Sequence, residues 1–163
     1  MKISFFILFF FVLLFGLKAQ SIPVIKIYGY KQQLYQGKKP SKNEPIKKTE
    51  QYKLFVEYRK NSSINITEVW IQSNYFRFTT HPKLKSPILD VQQPANKQIL
   101  VPKTTNRIIE IELTNKQEPS PRPTAALGKL LQSNDVVISY LFKGKTYFVT
   151  LKKMIVLEPF DGM

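Results

Sequence analysis

The sequence predicts an antiparallel β-sandwich of seven to eight strands with one short helix, a small β-barrel being the alternative. Three observations lead there. Apolar and polar residues alternate over short runs, as where Ile109, Ile111 and Leu113 are set between Glu110, Glu112 and Thr114. Turn-forming residues interrupt these runs, 11 prolines and 6 glycines among them. No helical pattern of about 10–15 residues separates the strands, which argues against parallel β-α-β units.

The first element lies outside the domain. Lys2 precedes a dense apolar run of 15 residues, Ile3 to Leu17, and Lys18 closes it. As a helix the run rises about 22 Å, short of the roughly 30 Å hydrocarbon core of a bilayer. It therefore reads as an export signal rather than a span, and Lys18-Ala19-Gln20-Ser21 offers small residues for cleavage after Ala19. An uncleaved anchor is the alternative. Residues 1–19 are thus assigned to a signal peptide and 20–163 to a single β-sandwich domain, with no transmembrane segment once the signal is removed.

Ile22 to Tyr30, rich in Ile, Val and Tyr, gives the first strand, with Pro23 suited to its start. From 31 to 51 the composition turns to Lys, Gln, Pro and Ser. This stretch carries Lys38, Lys39, Lys42, Lys47 and Lys48 and reads as a mobile lysine-rich loop. In QYKLFVEYR, Tyr52, Leu54, Val56 and Tyr58 share one face while Lys53, Glu57 and Arg59 share the other; Phe55 alone breaks the alternation. Asn61-Ser62-Ser63 turns the chain into a strand over Ile64 to Gln72, and Tyr75 to Thr80 follows as another, ended by His81-Pro82. Prolines 82, 87, 94 and 102 then permit only short edge strands, around Ile88 to Val91 and Gln98 to Val101.

Asn106 to Thr114 is the cleanest amphipathic strand. Alternate prolines from Glu118 to Thr124 favour an extended surface run, after which Thr124 caps a helix of about two turns presenting Leu127, Leu130 and Leu131. The stretch VVISYLFKGKTYFVTL reads as a hairpin around Lys143-Gly144-Lys145, with a bulge expected at Lys152-Lys153.

In strand count and spacing alone the domain resembles an immunoglobulin-like module. Trp70 falls on about the third strand, where such domains often bury a tryptophan, but the paired cysteines of that group are absent.

Composition narrows the chemistry. With no cysteine and a single histidine, Cys/His pairs and metal sites built on several thiolates or imidazoles are excluded; no metal or cofactor is expected. A Ser-His-Asp set would have to use His81, and no glycine-flanked nucleophilic serine accompanies it. Glu110 and Glu112 lie two residues apart, about 6.7 Å along a strand, and are expected side by side on a solvent face, opposite lysines of a neighbour. No catalytic residue is assigned.

Charge is the strongest remaining signal. The chain carries 25 Lys and Arg against 11 Asp and Glu, and still 23 against 11 after loss of Lys2 and Lys18. Candidate polyanion-binding residues are Lys38, Lys39, Lys42, Lys47, Lys48, Lys143, Lys145, Lys152 and Lys153. The expectation is an exported, non-enzymatic module of a bacterial envelope or exterior, periplasmic or extracellular, that contacts an envelope protein or an anionic surface polymer. The alternative is a direct polyanion binder for anionic lipid, lipopolysaccharide or acidic glycan; nucleic acid is not expected for an exported chain. A hydrolase with facing carboxylates is the third reading.

Overall fold

The computed structural model describes residues 22–36, 48–90, 98–114 and 121–162. It is an all-β sandwich. One sheet contains β1 (Val24–Gln36), β2 (Lys48–Tyr58), β5 (Phe78–Lys83), β8 (Arg107–Leu113), β11 (Ile155–Val156) and β12 (Phe160–Gly162). The other contains β3 (Asn65–Ile71), β4 (Asn74–Phe76), β9 (Val136–Phe142) and β10 (Lys145–Leu151). A separate hairpin pairs β6 (Ile88–Leu89) with β7 (Ile99–Val101), and the helix α1 spans Ala125–Ser133. The first sheet runs β11-β1-β2-β8-β5, with β12 also on β1, and the second runs β10-β9-β3-β4. Neither sheet closes on itself, which excludes the barrel.

The core between the sheets follows from alternation. Leu54 and Val56 of β2, Ile109 and Ile111 of β8, Val69 and Ile71 of β3, and Val136 and Ile138 of β9 all turn inward and are buried. Gly29 of β1 faces the same layer: a Cβ there would stand 2.6 Å from Leu151 Cδ2. The chain passes between sheets through Arg59–Ile64 and again at Arg77, which separates β4 from β5.

Two further layers cover the outer faces. The β6–β7 flap places Leu100 and Val101 against Tyr28, Tyr30, Phe55, Ile108 and Leu157, and the Tyr30 hydroxyl donates to the Leu100 carbonyl. That flap is why Phe55 interrupts the alternation: β2 is buried on both faces. On the second sheet, α1 lays Leu127 and Leu131 over Trp70 and Val137. Thr124 caps it, its hydroxyl accepting from the Leu127 amide at 3.3 Å. Trp70 is buried, but beneath the helix rather than between the sheets.

Several expectations are corrected. Strands number twelve among the described residues, because the short pieces pair too. Pairing is antiparallel except where β11 and β12 run parallel to β1. The stretch expected to loop over 31–51 is strand at both ends: β1 continues to Gln36 and β2 begins at Lys48, held by backbone pairs from Tyr30↔Lys53 to Tyr35↔Lys48. Polar composition did not prevent this, since Gln32 is buried and its amide donates to the Glu158 carbonyl at 2.8 Å. Tyr75 to Thr80 is two strands in different sheets, and His81-Pro82 does not end the second, because Pro82 lies on the edge strand β5. Lys152-Lys153 is a crossover rather than a bulge. There Asp135 accepts from the Met154 amide at 2.9 Å as the chain leaves β10 for β11.

The β9–β10 hairpin is as expected, tightened to a two-residue turn in which Lys143 and Gly144 have φ of 49° and 72°. Gln72 and Ser73, with φ of 48° and 66°, make the same kind of turn between β3 and β4. Among the described residues no helix is long and apolar enough to cross a membrane.

Candidate functional site

The alternation of β8 sends Glu110 and Glu112 away from the inter-sheet core, and its neighbour β5 answers them. His81 lies directly opposite Glu110, and Thr79 opposite Glu112. The contacts are diagonal: Lys83 forms an ion pair with Glu110, while His81 Nε2 lies 3.0 Å from Glu112 Oε2 and 3.1 Å from Thr79 Oγ1. The expected lysine opposite these acids is therefore Lys83. His81 belongs to a strand and not to a loop.

Next to this ladder the sheet opens. Strands β2 and β8 are paired from Tyr58↔Arg107 as far as Leu54↔Ile111, yet β2 continues back to Lys48 and β8 on to Leu113. A cleft of about 990 Å³ occupies the divergence. Glu50, Gln51, Tyr52 and Lys53 line it from β2, Glu110 and Glu112 from β8, and Asp90 from the flap.

The polar groups of the cleft are mostly tied. Lys53 Nζ lies 2.8 Å from Asp90 Oδ1, and Asp90 is 2% exposed. Alternation puts Lys53 on the face opposite Leu54 and Val56; the flap covers that face and makes the ion pair partly buried. The Tyr52 hydroxyl donates to Glu50 Oε2 at 2.6 Å, and its ring meets Phe76 edge-on at 5.9 Å. Burial raises the Tyr52 pKa well above the ordinary phenol value, and the neighbouring Glu50 carboxylate raises it further. Gln51 Oε1 is buried with no hydrogen-bond partner.

The basic candidates are distributed differently. Lys38, Lys39, Lys42 and Lys47 lie outside the described residues, and Lys48 begins β2. Lys143 and Lys145 are exposed at the β9–β10 tip, whereas Lys152 and Lys153 are exposed where β10 ends. The seven residues of β10 hold these two pairs about 20 Å apart. The structure does not bring them into one patch.

Instead, the tip lies at the end of the sandwich where other strands turn. There β2 finishes opposite the first residue of β8, Arg107, and Arg59–Ile64 crosses to β3, whose Asn65 pairs with Leu141 beside the tip. Arg59, Lys60, Arg107, Lys143 and Lys145 are all exposed at this end. Among the described residues none of the five has a carboxylate partner. Sequence reading missed Arg59, Lys60 and Arg107 because isolated cations near strand ends give no signal until pairing is known.

A third polar cluster supports the flap. Glu57 accepts from the Tyr28 hydroxyl at 2.7 Å, Thr104 Oγ1 at 2.6 Å and Asn106 Nδ2 at 2.8 Å. Among the described residues no group of three His, Cys, Asp or Glu is placed to hold a metal ion. No protein-family model and no curated protein matches the chain.

Proposed function

We propose that the protein is an exported, non-enzymatic β-sandwich module of a bacterial envelope or exterior that docks onto an anionic surface polymer or an acidic protein face. The observation that carries this reading is the end of the sandwich bearing the exposed Arg59, Lys60, Arg107, Lys143 and Lys145, none of them paired with a carboxylate among the described residues. A surface of one sign attracts polyanions with no shaped pocket, and only charges that approach within roughly 8 Å act at physiological salt. Clustering on one end meets that condition; the scattered lysines at Lys152 and Lys153 do not add to it. Glu110 and Glu112 stand side by side, each already bonded across to β5, which favours binding over carboxylate chemistry.

For basic groups at anionic membranes each charge contributes about 1 kcal/mol, so removing four should matter. Arg59→Gln, Lys60→Gln, Lys143→Gln and Lys145→Gln together are expected to lower retention on phosphatidylglycerol vesicles at low salt at least tenfold, with thermal stability unchanged. Added salt should weaken the parent protein in the same way. Equal retention of the variant and the parent would overturn the assignment of this end.

The export reading has its own test. N-terminal sequencing of protein from the envelope fraction should begin at or near Gln20. Intact chains that resist carbonate extraction would establish an anchor instead.

A further inference from the structure

The cleft lies apart from the cations assigned above and has the opposite character. Four of the carboxylates, Glu50, Asp90, Glu110 and Glu112, line it in a chain whose formal net charge is +14. Lys53 pairs with Asp90 and Lys83 with Glu110, whereas Glu50 and Glu112 meet only the Tyr52 hydroxyl and the His81 ring and have no lysine or arginine partner among the described residues.

The backbone ladder there is also incomplete among the described residues. From Lys48 to Lys53, β2 is paired with β1 on one side, and no described strand occupies the other. Across the gap, Glu112 and Leu113 pair with β5 but not with β2. A ladder position between two strands of one sheet that no described residue fills is a template for an extended chain. Its length, six residues, spans about 20 Å. Gln51 Oε1, buried and without a donor, lies on the wall such a chain would line. A buried acceptor left unmade is costly, and a peptide amide or a lysine ammonium satisfies it. Tyr52 and Phe76, in edge contact, and Leu89 and Leu100 of the flap supply apolar walls for alternate side chains.

We propose that this cleft binds an extended, lysine- or arginine-bearing segment of another protein, which enters as an extra strand along β2 with its cations directed to Glu50 and Glu112. The occupant is cationic because the two cleft residues without a lysine or arginine partner among the described residues are carboxylates. A basic peptide is repelled by most of the remaining surface, so its binding reports this site.

Glu50 shares the face of Tyr52 and Leu54 while Glu112 faces away from the core, so the probe is a fluorescent hexapeptide of lysine and valine with lysine at both odd and even positions, titrated into the full chain at low salt. Saturable binding is expected, with amide shifts in nuclear magnetic resonance confined to residues 49–53 and 110–114. Glu50→Gln with Glu112→Gln, both exposed and expected to fold normally, should weaken it at least tenfold. Replacing alternate peptide amides by N-methyl groups should weaken it similarly, because the ladder hydrogen bonds are lost. Absence of binding at millimolar peptide, unchanged affinity in the double variant, or equal affinity of the N-methylated peptide would each overturn the proposal.

Discussion

Trp70→Ala is expected to lower the stability of the domain by roughly 3–5 kcal/mol, the range for truncating a buried tryptophan. The side chain is 2% exposed and the largest among the fully buried residues. It packs in one cluster with Leu127, Leu131 and Val137, and its ring meets Tyr75 edge-on at 5.3 Å. A nine-residue helix has little stability of its own, so α1 depends on this apolar seat. The measurement is the urea midpoint followed by far-ultraviolet circular dichroism, since the variant loses the only tryptophan fluorophore. Limited proteolysis should cut first near α1. Trp70→Phe, which keeps an aromatic ring under the helix, should recover more than half of the loss. A cost below about 1 kcal/mol for the alanine variant would mean that α1 does not rest on Trp70.

That packing shows where sequence reading succeeded and where it stopped. Period-two patterning located most strands, because one buried face is enough to produce it, and Thr124 with Leu127 and Leu131 located the helix. Which layer a buried residue enters was not legible. Trp70 lies one position from Val69 and Ile71, so it must point the opposite way, but nothing local says that a helix waits on that side. Phe55 marked the same situation on β2. Its break in the alternation is the trace of a second covering layer, the β6–β7 flap, and nothing in the local pattern of Lys53 and Glu57 says that the flap covers their face as well. The polar ends of β1 and β2 were missed for a related reason: Gln32 is buried by hydrogen bonding to a carbonyl 126 positions away. The cleft depends on where the β2–β8 pairing stops, which is a property of register and not of any residue type.

Glu57→Ala is expected to cost about 3 kcal/mol at neutral pH, by the same flap that concealed it. The carboxylate is 6% exposed and receives three hydrogen bonds, from Tyr28, Thr104 and Asn106. Bonds to a charged group contribute about 1.5–3 kcal/mol each, and donors left buried without a partner add their own penalty. Glu57→Gln should rescue little, since one acceptor oxygen is replaced by a donor that faces other donors. Burial by itself pushes this carboxyl upward, but the hydrogen bonds from Thr104, Asn106 and Tyr28, with the charge of Lys26 nearby, outweigh it and hold the pKa below the ordinary value of 4.5. A folded-state pKa below the unfolded one stabilises the protein above the unfolded value, and that contribution disappears as pH falls through the folded one. The stability gap between the parent and Glu57→Gln should therefore be full at pH 7 and narrow below about pH 4.5. Urea midpoints from pH 7 down to pH 3 measure it, and a gap that stays constant would mean the carboxylate is not charged in the fold. Because Thr104 and Asn106 follow β7 while Asp90 follows β6, loosening this anchor frees the flap that walls the cleft, so the alanine variant should also bind the lysine–valine peptide less tightly.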